Sequence, residues 1–244
     1  MNVRAVIFDI YGTLLEVGPP PADAEARWQH LWGDLLAMGP RLGRLDFSVA
    51  SSKIIARHHA AARARGILWP EVHWTSVVLE AVPEVGRLPS LEQEEFLFQQ
   101  IQTGHTTRMT AATAAALRVL TERHCLLGIA SNAQAYTLRE LQEALATHGL
   151  NMDLFAQDLC FWSFQNGFSK PDPHAFQILT TRLNARGIAP AETLMVGDRL
   201  DNDIVPARAC GWRTWQLLAL PTQDGNNAGD WNQLARRHFP GAID

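Results

Sequence analysis

The sequence predicts an α/β fold in which a parallel sheet core carries an inserted α-helical unit. The first observation is that strand-like apolar runs alternate with helical segments of about ten or more residues from Met109 onward, as in a parallel sheet with right-handed crossovers. The second is that residues 22–105 show mostly helical periodicity and no convincing strand. One strand precedes this stretch and four follow it, so it interrupts a Rossmann-like core. We place the core at 1–16 and 106–244 and the inserted helical unit at 17–105.

The chain begins with the first core strand and then enters the helical unit. Residues Ala5–Ile10 form a short β-branched and aromatic run that ends in the turn Tyr11-Gly12-Thr13. A Gly-Pro-Pro-Pro break at 18–21 separates this turn from the helices. Four helices are predicted in this unit, at Ala24–Met38, Phe47–Arg65, Trp74–Val82 and Leu91–Gln102.

The second part of the core is predicted to alternate helix and strand up to the last strand. The strands are expected at Cys125–Ala130, Leu159–Phe164, Thr193–Val196 and Arg213–Leu217. The helices are expected at Thr110–Arg123, Ala135–Thr147, Pro173–Arg186 and Asp203–Cys210. A loop over 223–227 then leads to a short helix near Trp231–His238.

Composition and charge limit the kind of partner that the protein can have. With 244 residues, 47% of them hydrophobic, the chain is long and apolar enough to fold. A formal net charge of -4 argues against a protein that coats nucleic acid. The three cysteines lie far apart, which predicts neither a disulfide scaffold nor a zinc site. Since the sequence shows no signal peptide and no apolar run of about 20 residues, we expect a soluble, cytoplasmic protein without nucleic-acid or membrane partners. Its oligomeric state stays open.

Polar residues follow every predicted core strand except the last. Ligands of an open parallel sheet bind beyond the carboxyl ends of its strands. We therefore expect these residues to converge on one site. The most informative of them are Asp9, Gly12, Thr13, Ser131, Asn132, Lys170, Asp198 and Asp203.

The residue types at these strand ends suit both a cation and an anion. Converging carboxylates repel one another, and a hard cation such as Mg²⁺ removes that cost. The hydroxyls of Thr13 and Ser131 and the ammonium of Lys170 suit a phosphoryl group. Asp9 would then be free to attack it as a covalent nucleophile. Lys170 is notable because the 21 basic residues include only two lysines, the other being Lys53.

Four short segments occur in a fixed order at four predicted strand ends. They are Asp9-Ile10-Tyr11-Gly12-Thr13, Ser131-Asn132, Lys170-Pro171, and Gly197-Asp198 followed by Asp203. Together they resemble the four signatures of the haloacid dehalogenase-like (HAD) hydrolase superfamily, and the helical insertion resembles its α-helical cap. The resemblance covers all but about the last 25 residues.

The resemblance implies a role for each site residue in a Mg²⁺-dependent phosphatase that acts on a small phosphorylated metabolite. Asp9 would attack phosphorus, with Tyr11 and Lys170 as further catalytic residues. Asp9, the backbone carbonyl of Tyr11 and Asp198 would hold Mg²⁺, and Asp203 would lie on the metal side. The residues on the substrate side would be Gly12, Thr13, Ser131 and Asn132.

Tyr11 departs from the pattern of the phosphatases, which usually carry a second Asp at this position. A phenol with a pKa of about 10 can donate a proton but is a poor base at neutral pH. Tyrosine here is instead what the L-2-haloacid dehalogenases show, and those enzymes need no metal. They lack the acidic fourth signature, however, which this chain keeps in Asp198 and Asp203. We therefore favour the phosphatase and keep two alternatives, a 2-haloacid dehalogenase and a catalytically weak binding or regulatory member.

Several further residues have an open assignment. Lys53 is the candidate for a Schiff base of the kind that phosphonoacetaldehyde hydrolase forms, and Arg41 lies about where dehalogenases bind a carboxylate. Trp28 and Trp32, four residues apart, are expected to pack in the cap core. The segment from 69 to 74, with a tryptophan at each end, could face either the cap core or the active site.

Overall fold

The computed structural model describes residues 3–219 and 227–239, and it confirms the α/β core and the helical cap. Six parallel strands form the core sheet, namely β1 (Ala5–Phe8), β4 (Leu126–Ser131), β5 (Phe155–Trp162), β6 (Thr193–Gly197), β7 (Arg213–Leu217) and β8 (Ala228–Gly229). Their order in the sheet is β5-β4-β1-β6-β7-β8. This order, with crossover helices between strands, is the doubly wound arrangement that the alternating pattern predicts.

Strand β1 lies at the centre of the sheet because all four of its residues are apolar and buried. Phe8, its last residue, pairs with Ile129 of β4 on one side and with Val196 of β6 on the other. The three strands therefore end at the same edge of the sheet. This register brings the residues that follow each of them into one region.

Helices cover both faces of the sheet, and each face has its own apolar cluster. One cluster includes Phe8 and Trp215, and the other includes Ile7, Phe176 and Trp212. The core helices are α5 (Ala111–Glu122), α6 (Ala135–Ala146), α7 (Ser163–Asn166), α8 (Pro173–Ala185), α9 (Val205–Ala209) and α10 (Trp231–His238).

The cap is a helical unit with a core of its own. Trp28 and Trp32 are fully buried there, which confirms their expected packing, and both contact further rings, Phe47 and Phe96. A two-stranded antiparallel ladder joins β2 (Glu16–Gly18), where the chain leaves the core, to β3 (Thr106–Arg108), where it returns. The boundaries of the cap at 17 and 105 stay a prediction. Its helices are α1 (Ala24–Leu36), α2 (Arg44–Arg63), α3 (Trp74–Ala81) and α4 (Ser90–Gln102).

The predicted element boundaries need three corrections. The strand predicted at Leu159–Phe164 is wrong in its bounds, since β5 begins earlier, at Phe155. The pattern missed this start because the exposed Gln157 and Asp158 interrupt the apolar run. The short strands β2, β3 and β8 were not predicted, because two or three residues leave too little periodicity.

The third correction concerns the predicted helix Asp203–Cys210. The chain first forms a π-helical turn at Leu200–Ile204, which contains Asp203, and only then the α-helix. Of the predicted loop at 223–227, only Asn227 lies within the described residues. Among the described residues, no helix is long and apolar enough to cross a membrane.

Candidate active site

Asp9 stands directly after β1 and is almost completely buried. Its backbone NH donates to the carbonyl of Val196 at 3.0 Å, which continues the pairing with β6 by one residue. Its Oδ1 accepts a hydrogen bond from Lys170 Nζ at 2.9 Å, although the two residues are 161 positions apart in the chain. The structure therefore brings the first and third predicted segments into contact.

Asp9, Asp198 and Asp203 each offer a carboxylate oxygen within 4.8 Å of the others. Lys170 Nζ bridges two of the three, since it also donates to Asp203 Oδ1 at 2.5 Å. Burial alone would lower the pKa of the Lys170 ammonium, but the carboxylates of Asp9 and Asp203 outweigh it and raise that pKa. Lys170 thus carries a full positive charge at neutral pH.

One ammonium does not compensate three carboxylates, and Asp198 is the member that Lys170 does not bond. Its Oδ1 is buried and has no hydrogen-bond partner within residues 3–219 and 227–239. Burial and the neighbouring charge of Asp9 raise the pKa of Asp198. Burial likewise raises the pKa of Asp203, despite its bond to Lys170. A buried oxygen without a donor among the described residues, in a cluster where the pKa values of Asp198 and Asp203 are raised, fits a site for a hard divalent cation.

Two glycines allow these carboxylates to come so close to the backbone. Gly12 has φ = +77°, and a Cβ added there would lie 2.5 Å from Asp198 Oδ2. A Cβ on Gly197 would lie 2.4 Å from Asp203 Oδ2. A side chain at either position would require the neighbouring carboxylate to move, so the two glycines permit the close packing of the cluster.

The groups predicted to bind an anion are also gathered at this edge. Thr13 and Ser131 are nearly fully buried, and the Thr13 Oγ1 has no hydrogen-bond partner among the described residues. Asn132 uses both ends of its amide on the main chain of Lys170, donating to its carbonyl at 2.9 Å and accepting from its NH at 2.7 Å. Asn132 therefore ties the second predicted segment to the third.

Tyr11 turns its phenol away from solvent toward α6. The hydroxyl donates to the carboxylate of Glu140 and lies 3.0 Å from Thr137 Oγ1. Burial, together with the negative charge of Glu140, raises the pKa of Tyr11 far above its ordinary value. The phenol therefore stays protonated at neutral pH, so it is not a base there.

Glu140 is a buried acid that the sequence reasoning missed. Its Oε1 also accepts hydrogen bonds from Gln102 Nε2 at 2.7 Å and lies 2.9 Å from His105 Nε2. The signal that could have found it is helical spacing, since Glu140 shares the buried face of α6 with Thr137 and Leu141. An acid on a buried face needs partners, and here Tyr11 is one of them.

Three other charged residues lie outside the carboxylate cluster. Lys53 lies exposed on α2. Arg41 pairs with Glu84 in the cap at 2.6 Å. Asp201, at the fourth predicted strand end, is exposed and pairs with Arg199 at 2.8 Å.

The segment from 69 to 74 faces the boundary between cap and core. Trp74 lines a mainly apolar cavity of about 330 Å³ there, together with Phe98 of the cap and Tyr136 and Phe164 of the core. Trp69, at the other end of the segment, stays 44% exposed. Neither Asp9 nor Lys170 lines this cavity, so it is separate from the carboxylate cluster.

Comparisons with known proteins agree with the fold. The family model for haloacid dehalogenase-like hydrolases matches residues 3–211, whereas no curated protein matches the chain. A 2-haloacid dehalogenase from Pseudomonas syringae pv. Tomato DC3000 is similar, with a TM-score of 0.59, 20% identity, and coverage of 96% of this chain and 97% of that chain.

Two other similar structures are those of a phosphatase and of a hydrolase with bound magnesium. A HAD phosphatase from Thermococcus onnurineus has a TM-score of 0.54 and 21% identity, covering 98% of this chain and 99% of that chain. A HAD hydrolase from Bacillus subtilis, solved with bound magnesium, has a TM-score of 0.53 and 20% identity, covering 98% of this chain and 100% of that chain. At these identities the likeness concerns the fold, and it extends to dehalogenases and phosphatases alike.

Proposed function

Because the chain belongs to the haloacid dehalogenase-like hydrolases, we propose that it is a Mg²⁺-dependent phosphatase acting on a small phosphorylated metabolite of the cytoplasm. The observation that carries this proposal is the cluster of Asp9, Asp198 and Asp203 around a single ammonium. Unpaired acids would repel the carboxylate of a 2-haloacid, whereas with a divalent cation they complete a phosphate site.

The groups that would hold Mg²⁺ are Asp9, the backbone carbonyl of Tyr11, and Asp198. The buried Asp198 Oδ1, which has no partner in the described part of the chain, supports this assignment. Asp203 belongs to the same cluster but shares Lys170 with Asp9, so its role is to hold the ammonium in place. When bound, the cation neutralises carboxylate and phosphoryl oxygens that would otherwise repel each other.

In the proposed reaction Asp9 is the nucleophile. Its free carboxylate oxygen forms a bond to phosphorus as the bond from phosphorus to the ester oxygen breaks. The electron pair of that bond stays on the ester oxygen, which takes a proton from solvent and leaves as the alcohol, so an aspartyl-phosphate remains. Water then attacks the phosphorus of that intermediate, restores Asp9 and releases phosphate. Lys170 and the hydroxyls of Thr13 and Ser131 stabilise the phosphoryl oxygens, because each of these groups can donate a hydrogen bond.

Removal of the Asp198 charge tests the metal site. We expect Mg²⁺ to raise both the thermal stability and the phosphate release of the native protein at pH 7.5, because a cation that binds only the folded state stabilises it. Asp198→Asn should lose at least about tenfold in Mg²⁺ affinity, since each carboxylate ligand supplies much of the attraction for a hard cation. Calorimetric titration with Mg²⁺ measures this. Equal affinities in the two proteins would contradict the assignment.

Tyr11 is the residue that limits hydrolysis in this proposal. The change Tyr11→Asp should raise phosphate release at least about tenfold, since a correctly placed acid–base group contributes about 10²–10⁴-fold. Tyr11→Phe should change turnover less than about threefold, because the phenol already donates to Glu140. Steady-state phosphate release from the two variants measures the difference. A lower rate in Tyr11→Asp would mean that another group does the acid–base work.

Dehalogenation is the second candidate, and Tyr11 is the observation that favours it. Its ring lies edge-on to His105 and, with its hydroxyl bonded to Glu140, offers no acid at the position where phosphatases usually carry one. In that reaction Asp9 would displace halide from carbon to form an ester that water hydrolyses, with no role for Asp198. The two functions therefore differ in whether Mg²⁺ is needed.

A further inference from the structure

The segment of the cap from 69 to 74 is bonded to the core through the carboxylate of Glu71. One oxygen of Glu71 accepts a hydrogen bond from Ser163 Oγ at 2.6 Å. The other accepts from Gln134 Nε2 at 3.1 Å and from the backbone NH of Val72 at 2.8 Å. Ser163 and Gln134 both belong to the core, so this cap acid is held by two core side chains.

Gln134 also forms hydrogen bonds with the backbone of the same cap segment. Besides Glu71, its Nε2 donates to the carbonyl of Val72 at 2.8 Å, and its Oε1 accepts from the NH of Trp74 at 2.9 Å. Gln134 is itself almost completely buried. Its amide thus satisfies a donor and an acceptor of the cap main chain, as a neighbouring strand would.

A second part of the core binds the same segment through main-chain hydrogen bonds. The NH of Glu71 donates to the carbonyl of Gly167 at 3.1 Å, and the NH of Ser169 donates to the carbonyl of Trp69 at 2.8 Å. Ser169 directly precedes Lys170 in the chain. The cap therefore contacts the loop that delivers the ammonium to the carboxylate cluster.

The core residues that hold the cap also adjoin the groups assigned to anion binding. Gln134 lies two positions after Asn132, and Ser163 Oγ accepts from the NH of Ala133 between them at 2.9 Å. Asn132 in turn fixes both main-chain polar groups of Lys170. A continuous set of hydrogen bonds thus leads from Glu71 in the cap to the two loops of the anion site.

We propose that Glu71, Gln134 and Ser163 form a clamp that couples docking of the cap to the geometry of the anion site. Glu71 is then a positioning residue, since it acts through the 131–134 and 167–170 loops. Coupling of this kind is reciprocal, so an anion bound in the site also favours the docked cap. The part of the proposal that concerns a phosphoryl anion rests on the proposed function.

The test compares Glu71→Ala and Glu71→Gln with Glu92→Ala, in which an exposed acid of the cap is removed. Amide hydrogen exchange of residues 131–134 and 167–170 reports the order of the two loops. Calorimetric titration with inorganic phosphate in the presence of Mg²⁺ reports the anion site without requiring turnover. Thermal unfolding separates either effect from a general loss of stability.

We expect Glu71→Ala to speed exchange in both loops and to weaken phosphate binding about tenfold, within the usual range for coupled sites. Glu71→Gln should restore most of the affinity, because its amide oxygen still accepts from Gln134 and from the NH of Val72. Glu92→Ala should match the native protein in both measurements.

Unchanged exchange in the 131–134 and 167–170 loops of Glu71→Ala would overturn the clamp. Faster exchange with unchanged phosphate affinity would overturn its coupling to the anion site. If the native protein neither binds phosphate nor releases it from any ester, the proposed function is wrong, and the exchange comparison alone decides on the clamp.

Discussion

Replacement of Asp9 by asparagine is expected to reduce phosphate release by at least about 10⁴-fold. The amide has nearly the shape of the carboxylate but is not a nucleophile, and loss of a hydrolase nucleophile costs on the order of 10⁶-fold in the best-studied case. The variant should fold, because Lys170 keeps its bond to Asp203. Steady-state phosphate release, with thermal unfolding as a check on folding, measures the effect.

The matched control for this change is Asp201→Asn. Asp201 is also an acid beyond a core strand, but it is exposed and pairs with Arg199 instead of Lys170. The turnover of Asp201→Asn should stay within about twofold of the native value, because exposed ion pairs contribute little to the stability of the folded protein. Turnover in Asp9→Asn within tenfold of the native rate would exclude Asp9 as the nucleophile.

Replacement of Lys170 by methionine is expected to lower the free energy of unfolding by about 3–5 kcal/mol and to remove turnover. Lys170 is 3% exposed and bonds both Asp9 and Asp203, so the change leaves two buried carboxylates without the ammonium they share. Urea unfolding in EDTA measures the loss with no divalent cation present. Lys53→Met, at an exposed position of α2, should change stability by less than about 0.5 kcal/mol.

The stability lost in Lys170→Met should also depend on pH. Burial already raises the pKa of Asp203, and removal of the neighbouring ammonium raises it further. When the pKa of an acid is higher in the folded than in the unfolded state, the protein loses stability as pH rises. The loss begins near the pKa in the unfolded state, about 4, and continues through the pKa in the folded state. The variant should therefore be closer to the native protein at pH 5 than at pH 7.5. A loss that is equal at both pH values would contradict this account.

The fold and the meeting of the strand ends could be predicted because both follow from local patterns. Apolar runs separated by helices dictate a parallel sheet, and such a sheet places Asp9, Ser131, Lys170 and Asp198 at one edge. Their identities indicate a joint cation and anion site, which stays a prediction. In the structure Lys170 bonds Asp9, and the carboxylates of Asp9 and Asp198 lie in one cluster.

The rest depended on contacts between residues far apart in the chain, which one sequence does not encode locally. Nothing near Tyr11 in sequence indicates that Glu140, 129 positions later, accepts a hydrogen bond from its hydroxyl group. Likewise, the pairing of Glu71 with Gln134 and Ser163 requires the placement of the cap on the core. Helical spacing gives the buried face of α6, but it does not give the partner of an acid on that face.

The measurement that most directly tests the central claim is a paired assay on the purified native protein. Phosphate release from a panel of phosphate esters is followed in Mg²⁺ and in EDTA, with halide release from 2-haloacids measured in parallel. The account predicts phosphate release that requires Mg²⁺ and no halide release. Halide release in EDTA, with no phosphate released from any ester, would contradict it and assign Asp9 to dehalogenation.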